Sequence, residues 1–192
     1  MAKRLIIGIT GASGVIYGIR ALEILKDTAT ETHLVLSPAA KATIAQETDW
    51  KVSDVEALAA AKYDHRDVGA AIASGSFGTV GMMVAPCSIK TLSAVANSFS
   101  ADLLSRAADV CLKEGRPLLL MVRETPFHLG HLRLLTQAAE AGAIIFPPAP
   151  AFYHRPQTVD DIVNATVGRA LARLGIENDA YTKWKGMSES ER

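Results

Sequence analysis

Leu5-Ile6-Ile7-Gly8-Ile9-Thr10-Gly11-Ala12-Ser13-Gly14 sets a nearly unbroken apolar run against a turn of glycines and small residues, with helical spacing from Val15 onward. A strand buried on both faces reads as such a run, and parallel sheets are where strands are buried on both faces. Four more runs follow: His33 to Leu36, Met82 to Ala85, Leu118 to Val122 and Ala143 to Phe146. Between and after them the spacing predicts helices over Val15 to Lys26, Pro38 to Glu47, Ile89 to Asn97, Asp102 to Lys113, Phe127 to Ala141 and Val159 to Leu174. Strands alternating with helices make βαβ units, so the expectation is an α/β fold around a parallel sheet covered on both faces. Ser37-Pro38 reads as a helix cap followed by proline in the first turn, and Thr158 precedes a first turn holding Asp160 and Asp161. The stretch from Trp50 to Thr79 is the least regular, and Ser74 to Gly78 reads as a mobile loop. Residues 1–176 are expected to form one domain and 177–192 a polar C-terminal tail.

Composition narrows the function. The 192 residues carry 20 Lys and Arg against 20 Asp and Glu, a formal net charge of 0, which argues against a surface built for nucleic acid. With 49% hydrophobic and 21% charged residues the chain is globular rather than disordered. Lacking net self-repulsion, it should associate readily with copies of itself. Cys87 and Cys111 form neither a disulfide framework nor a zinc ribbon, and a cytoplasmic location is expected. No apolar run is long enough to span a bilayer.

Open parallel sheets bind ligands beyond the carboxyl ends of their strands. Those ends read Thr10 to Gly14, Ser37, Pro86-Cys87-Ser88-Ile89-Lys90-Thr91, Arg123-Glu124-Thr125 and Pro147-Pro148. Gly8, Gly11 and Gly14 are three apart, which is not the dinucleotide fingerprint, yet the turn offers N–H groups and the Ser13 hydroxyl to a phosphate. Where a dinucleotide site would want a carboxylate for the ribose, Ser37 stands, so a mononucleotide fits better. Cys87 has no histidine near it in sequence and reads as a buried small residue. Glu124, His128 and His131 are interrupted by Pro126, neither HExxH nor DDxxD occurs, and no metal is expected. Asp102, Arg106, Asp109 and Lys113 fall on one helical stripe of alternating charge, which from spacing alone reads as a solvated ladder.

Taken in register, Ile9-Thr10-Gly11-Ala12-Ser13-Gly14, Gln46-Glu47-Thr48-Asp49, Ala73-Ser74-Gly75-Ser76, Pro86-Cys87-Ser88, Arg106-Ala107-Ala108-Asp109-Val110, Leu112-Lys113-Glu114, Arg123-Glu124-Thr125-Pro126 and Ala151-Phe152-Tyr153-His154 closely resemble the flavin prenyltransferases of the UbiX family, once classed as aromatic acid decarboxylases. The resemblance runs from Lys3 to Trp184. It implies a Rossmann-like or flavodoxin-like three-layer sandwich that binds FMN between subunits of a homododecamer. The reaction it implies moves a dimethylallyl group from dimethylallyl phosphate to N5 and C6 of reduced FMN, giving prenylated FMN for a UbiD-type decarboxylase. By the same resemblance FMN would contact Gly11, Ala12, Ser13, Ser37, Ser88, Ile89, Lys90, Thr91 and Arg123. The donor would contact Lys113, Arg123, Glu124, Tyr153 and Arg169, some of them from a neighbouring chain. Family members with an aromatic residue just before the Ala-Ser-Gly-Ser loop can set it against the prenyl group; Asp67 to Ile72 holds none, which leaves an aliphatic wall or Trp184 for that place.

The chemistry so implied needs positive charge at a departing phosphate and a base for a flavin proton. Lys113, Arg123 and Arg169 with the Tyr153 hydroxyl suit the first need. Glu47, relayed by Ser13, is the candidate for the second, and Glu124 for a proton on the phosphate. The alternatives are an FMN-dependent cysteine decarboxylase, for which the PxMNxxMW-type segment is missing, a decarboxylase of 4-hydroxy-3-polyprenylbenzoate, for which no acid–base set is evident, and a non-catalytic flavin carrier, which would have no use for Lys113, Tyr153 and Arg169.

Overall fold

The computed structural model describes residues 3–184 and 186. In chain order the elements are β1 (Lys3–Ile9), α1 (Ile16–Lys26), β2 (Thr30–Leu36), α2 (Pro38–Glu47), α3 (Val52–Ala57), β3 (Ala61–Tyr63), a 3-10 turn (Ala71–Ala73), β4 (Met82–Cys87), α4 (Ile89–Ala96), α5 (Leu103–Lys113), β5 (Leu118–Val122), α6 (Leu129–Glu140), β6 (Ile144–Ile145) and α7 (Val159–Arg173). The described strands form one sheet in the order β3-β2-β1-β4-β5-β6, every pairing parallel. Between β1 and β4 the order reverses, and the crevice that opens there is where such sheets hold ligands.

Side chains alternate along each strand and divide the core in two. Leu5, Ile7, Ile9, Met83, Ala85, Leu119 and Met121 face α1, α2 and α7 on one side. Ile6, Met82, Val84, Leu118, Leu120 and Val122 face α4, α5 and α6 on the other. All of these strand residues are at most 1% exposed, which is why the strands read as unbroken apolar runs rather than as alternations.

The caps follow the sequence reading. Ser37 and Ser88 each accept a backbone N–H from the first turn of α2 and α4, and Thr158 forms a capping box with Asp161. Three expectations change. β3 and α3 lie inside the stretch read as irregular, because a three-residue edge strand and a six-residue helix are too short to show a period. The Ser74 to Gly78 loop is tied down, since Arg116 donates to the Gly75 and Phe77 carbonyls at 2.6 and 2.8 Å and Phe77 packs edge-on against His33. The charged stripe on α5 is broken, since Asp102 caps the helix through Ser105, Arg106 pairs with Asp109 at 3.0 Å, and Lys113 pairs with Glu114. Of the expected tail, residue 185 and residues 187–192 lie outside the described residues. Among the described residues no helix is long and apolar enough to cross a membrane.

His33 is buried in β2 between the Tyr63 hydroxyl, 2.8 Å from Nδ1, and Glu31, 3.1 Å from Nε2. Burial lowers its pKa against the opposing pull of Glu31. The unfolded chain therefore binds a proton that the folded chain resists, and stability falls as pH drops below the ordinary histidine value of 6.5. Denaturant titrations on either side of that pH should show this loss, and His33→Gln should reduce it.

Candidate functional site

The crevice at the strand reversal is a cleft of 360 Å³ whose wall includes Gly11, Ser37, Ser88, Lys90, Thr91 and Asp102. Thr10 holds its floor together. Buried at 1% exposure, its hydroxyl donates to the Pro86 carbonyl at 2.7 Å and accepts the Ser88 N–H at 2.8 Å, joining the end of β1 to the turn after β4. Two helix N-termini, those of α2 and α4, open on this cleft with Ser37 and Ser88 at their caps. Each cap oxygen accepts a backbone N–H, which leaves the Ser37 O–H proton to donate elsewhere; Ser88 Oγ also bonds Thr91 Oγ1 at 3.2 Å, so one hydroxyl proton of that pair is left to donate. Positive helix ends, hydroxyl protons and the Lys90 ammonium together suit a phosphate ester.

The glycine turn is shaped by contact. A Cβ on Gly11 would stand 2.3 Å from the Ala39 Cβ, so only glycine lets β1 end against the start of α2. Gly14 has φ +95°, a conformation that favours glycine, and its N–H donates to Glu47 Oε2 at 2.8 Å. That bond carries Glu47, at the far end of α2, back to the turn that contains Ser13. The Tyr17 ring covers Gly14, and its half-buried phenol is raised in pKa by burial and pulled back by the Arg123 charge. Arg123 is anchored to the same region, its N–H donating to the Cys87 carbonyl at 3.1 Å.

One chain thus brings together Gly11, Ser37, Ser88, Lys90 and Thr91, with Glu47 at the glycine turn and Arg123 beside the turn after β4. Ala12 is buried, Ser13 is exposed on the turn, and the Ile89 side chain packs into the core. Glu124 is half-buried, and its Oε1 accepts the next residue's N–H. Cys87 is buried, and desolvation raises its thiol pKa far above reactive values.

Other candidates stand apart. Tyr153 donates to the Thr182 carbonyl at 2.6 Å and meets Trp184 edge-on at 5.5 Å, both rings about half exposed. Arg169 is exposed on α7, next to Gly168, whose carbonyl accepts the Asn178 side chain. Lys113 is farthest in kind: Asp102 and Ser105 at the start of α5 line the cleft, whereas Lys113 ends that helix, about 16 Å away at 1.5 Å per residue. There it meets Gly75 and Glu114, at the end of the helix away from the cleft. Among the described residues no hydrogen bond or ion pair joins Lys113, Arg169 or Tyr153 to the cleft. Sequence reasoning missed Thr10, Tyr17 and His65. Helical spacing placed Asp102 on a surface ladder, although its position just before an apolar run also marks a cap.

Thr10→Val keeps the shape and the backbone N–H that the Pro86 carbonyl accepts at 3.2 Å, but strands the Ser88 N–H. It should cost about 1–3 kcal/mol in chemical denaturation and weaken whatever the cleft binds.

Comparison with known proteins bears on the same residues. A family model described as Flavoprotein matches residues 1–171. The flavin prenyltransferase UbiX of Thauera aromatica is 59% identical over 188 residues, covering 98% of this chain and 97% of its own. The crystal structure of AnUbiX (PadA1) in complex with FMN and dimethylallyl pyrophosphate superposes with a TM-score of 0.96 at 44% identity, covering 98% of this chain and 100% of that one. A dodecameric FMN-dependent UbiX-like decarboxylase from Escherichia coli O157:H7 gives a TM-score of 0.93 at 45% identity over 95% of this chain and 100% of that one.

Proposed function

Since the chain belongs to the flavoprotein family and, within it, to the flavin prenyltransferases, we propose that it transfers a dimethylallyl group from dimethylallyl phosphate to N5 and C6 of reduced FMN. The observation that carries this reading is the donor-rich cleft at the β1/β4 reversal, on a fold that superposes closely on a protein solved with FMN and dimethylallyl pyrophosphate.

Reduced FMN supplies a nucleophilic N5, which would bond to the allylic carbon and lose its proton as the donor's C–O bond breaks with its electron pair going to phosphate. Ring closure would take up one proton at the olefin, bond the resulting carbocation to C6 and release the C6 proton. The residues of this chain do the rest. Ser37, Ser88, Lys90, Thr91 and the two helix ends hold the flavin phosphate. Gly11, Ala12 and Ser13 set backbone against the ring system, on a turn that glycine at Gly11 lets close against Ala39 of α2. Glu47, anchored by the Gly14 N–H, accepts the ring proton through Ser13. Arg123, beside the same turn, neutralises charge growing on the departing phosphate, and Glu124 holds the phosphate proton.

Lys113, Arg169, Tyr153 and Trp184 reach such a site only from a neighbouring copy, because the chain that holds the cleft points them elsewhere. A homododecamer like that of the E. coli relative supplies such copies. Large apolar side chains left outside, among them Phe99, Leu129, Phe152 and Trp184, suit contacts between copies. The product serves a UbiD-type decarboxylase, to which it is handed over, and two unpaired buried cysteines suit a cytoplasmic setting. Residues 1–176 act as the flavin-binding domain, with the tail from 177 reaching the donor pocket through Trp184.

Incubated anaerobically with reduced FMN and dimethylallyl phosphate, the protein should yield a flavin heavier by one C5H8 unit on mass spectrometry. An unchanged flavin mass would contradict the transferase reading. Glu47→Gln should still bind FMN while product formation slows by about a hundredfold or more.

A further inference from the structure

His65 belongs to none of the motifs above, yet it lines the same cleft as Ser37, Ser88, Lys90 and Thr91. With Pro38 it also lines a second cavity of 500 Å³ beyond the ends of β2 and β3, so the imidazole stands in the partition between the two spaces. Its backbone is fixed from the far side, where the Leu103 N–H donates to the His65 carbonyl at 2.9 Å. That bond ties the segment after β3 to the first residue of α5.

The two ring nitrogens have different surroundings. Nδ1 is sealed from solvent and has no hydrogen-bond partner. Nδ1 is therefore left unpartnered in either tautomer, so Nε2 is the ring nitrogen that can serve a ligand, and it donates when it carries the proton. The ring is only half-buried, and among the described residues Nε2 makes no hydrogen bond, so as the protonated nitrogen it has a donor to give. Polar groups on the same wall have the same character: Lys90 is a cation, Ser37 keeps a hydroxyl proton to give, and so does one member of the Ser88–Thr91 pair. Asp102 is the one carboxylate lining the cleft among the described residues, and its Oδ1 already accepts the Ser105 N–H and O–H at 2.8 and 2.9 Å. A wall of donors calls for an acceptor-rich group, and the acceptor-rich end of FMN is its phosphate.

We propose that His65 is a further binding residue of this site, its Nε2–H donating to the FMN phosphate alongside Ser37 and Ser88. This rests on the reading of the cleft as an FMN site. Riboflavin, which lacks the phosphate, separates the possibilities. Flavin fluorescence titration should show His65→Leu binding FMN about tenfold or more weakly than wild type, with riboflavin affinity unchanged. His65→Gln, whose amide can place a donor near the Nε2 position, should recover most of the loss. His65→Asn, which is polar but too short, should not, and it serves in place of leucine if that variant fails to fold. Equal weakening toward FMN and riboflavin, or no weakening at all, would overturn the proposal while leaving the FMN reading intact. A wild-type protein that bound neither flavin would overturn both.

Discussion

Parallel strands all end on the same side, and where their order reverses, the helices that follow them leave to opposite faces and cannot fill the gap between. The crevice between β1 and β4 comes from this constraint, and the site depends on how its exposed backbone is satisfied. Thr10 does most of that: one buried hydroxyl takes the Ser88 N–H and serves the Pro86 carbonyl, so the two strand ends move as a unit. With those groups satisfied internally, the donors left facing the crevice include the Ser37 hydroxyl, one hydroxyl proton of the Ser88–Thr91 pair, Lys90 and the positive ends of α2 and α4. A phosphate ester is what such a set accepts.

The second constraint is the stiffness of α5. Its first residues border the cleft and its last lies at the opposite end of the same face of the sheet, so within one chain the cation of Lys113 stands well away from the cleft. Of the cations assigned to the donor, Arg123 remains close by, with its N–H on the Cys87 carbonyl. A site that must neutralise a leaving phosphate thus becomes a reason for assembly, and zero net charge removes the long-range repulsion that would oppose it.

Much of this was legible in the sequence. The interior strands β1, β4 and β5 are so completely buried that their apolar runs could not be missed, and Ser37, Ser88, Lys90 and Thr91 follow from looking at strand ends. What stayed hidden depends on contacts distant in sequence. β3 pairs through three residues with one neighbour. The Ser74 to Gly78 loop looked mobile because its restraint comes from Arg116, some forty positions on. His65 reaches the cleft from an irregular segment held by α5, and no local pattern signals that. The resemblance to a known family supplied Glu47, Lys113, Tyr153 and Arg169; spacing alone would have left Lys113 on a surface ladder.

The central claim is that one copy holds the flavin and another delivers the cation. Mixed oligomers test it most directly. Lys113→Met and Glu47→Gln should each be nearly inactive alone, and co-assembling the two should restore complete sets at about one quarter of the sites, read as prenylated flavin formed per subunit. Recovery of that order is the result expected. Mixed assemblies no more active than their parents would contradict the claim and place Lys113 in the site of its own chain.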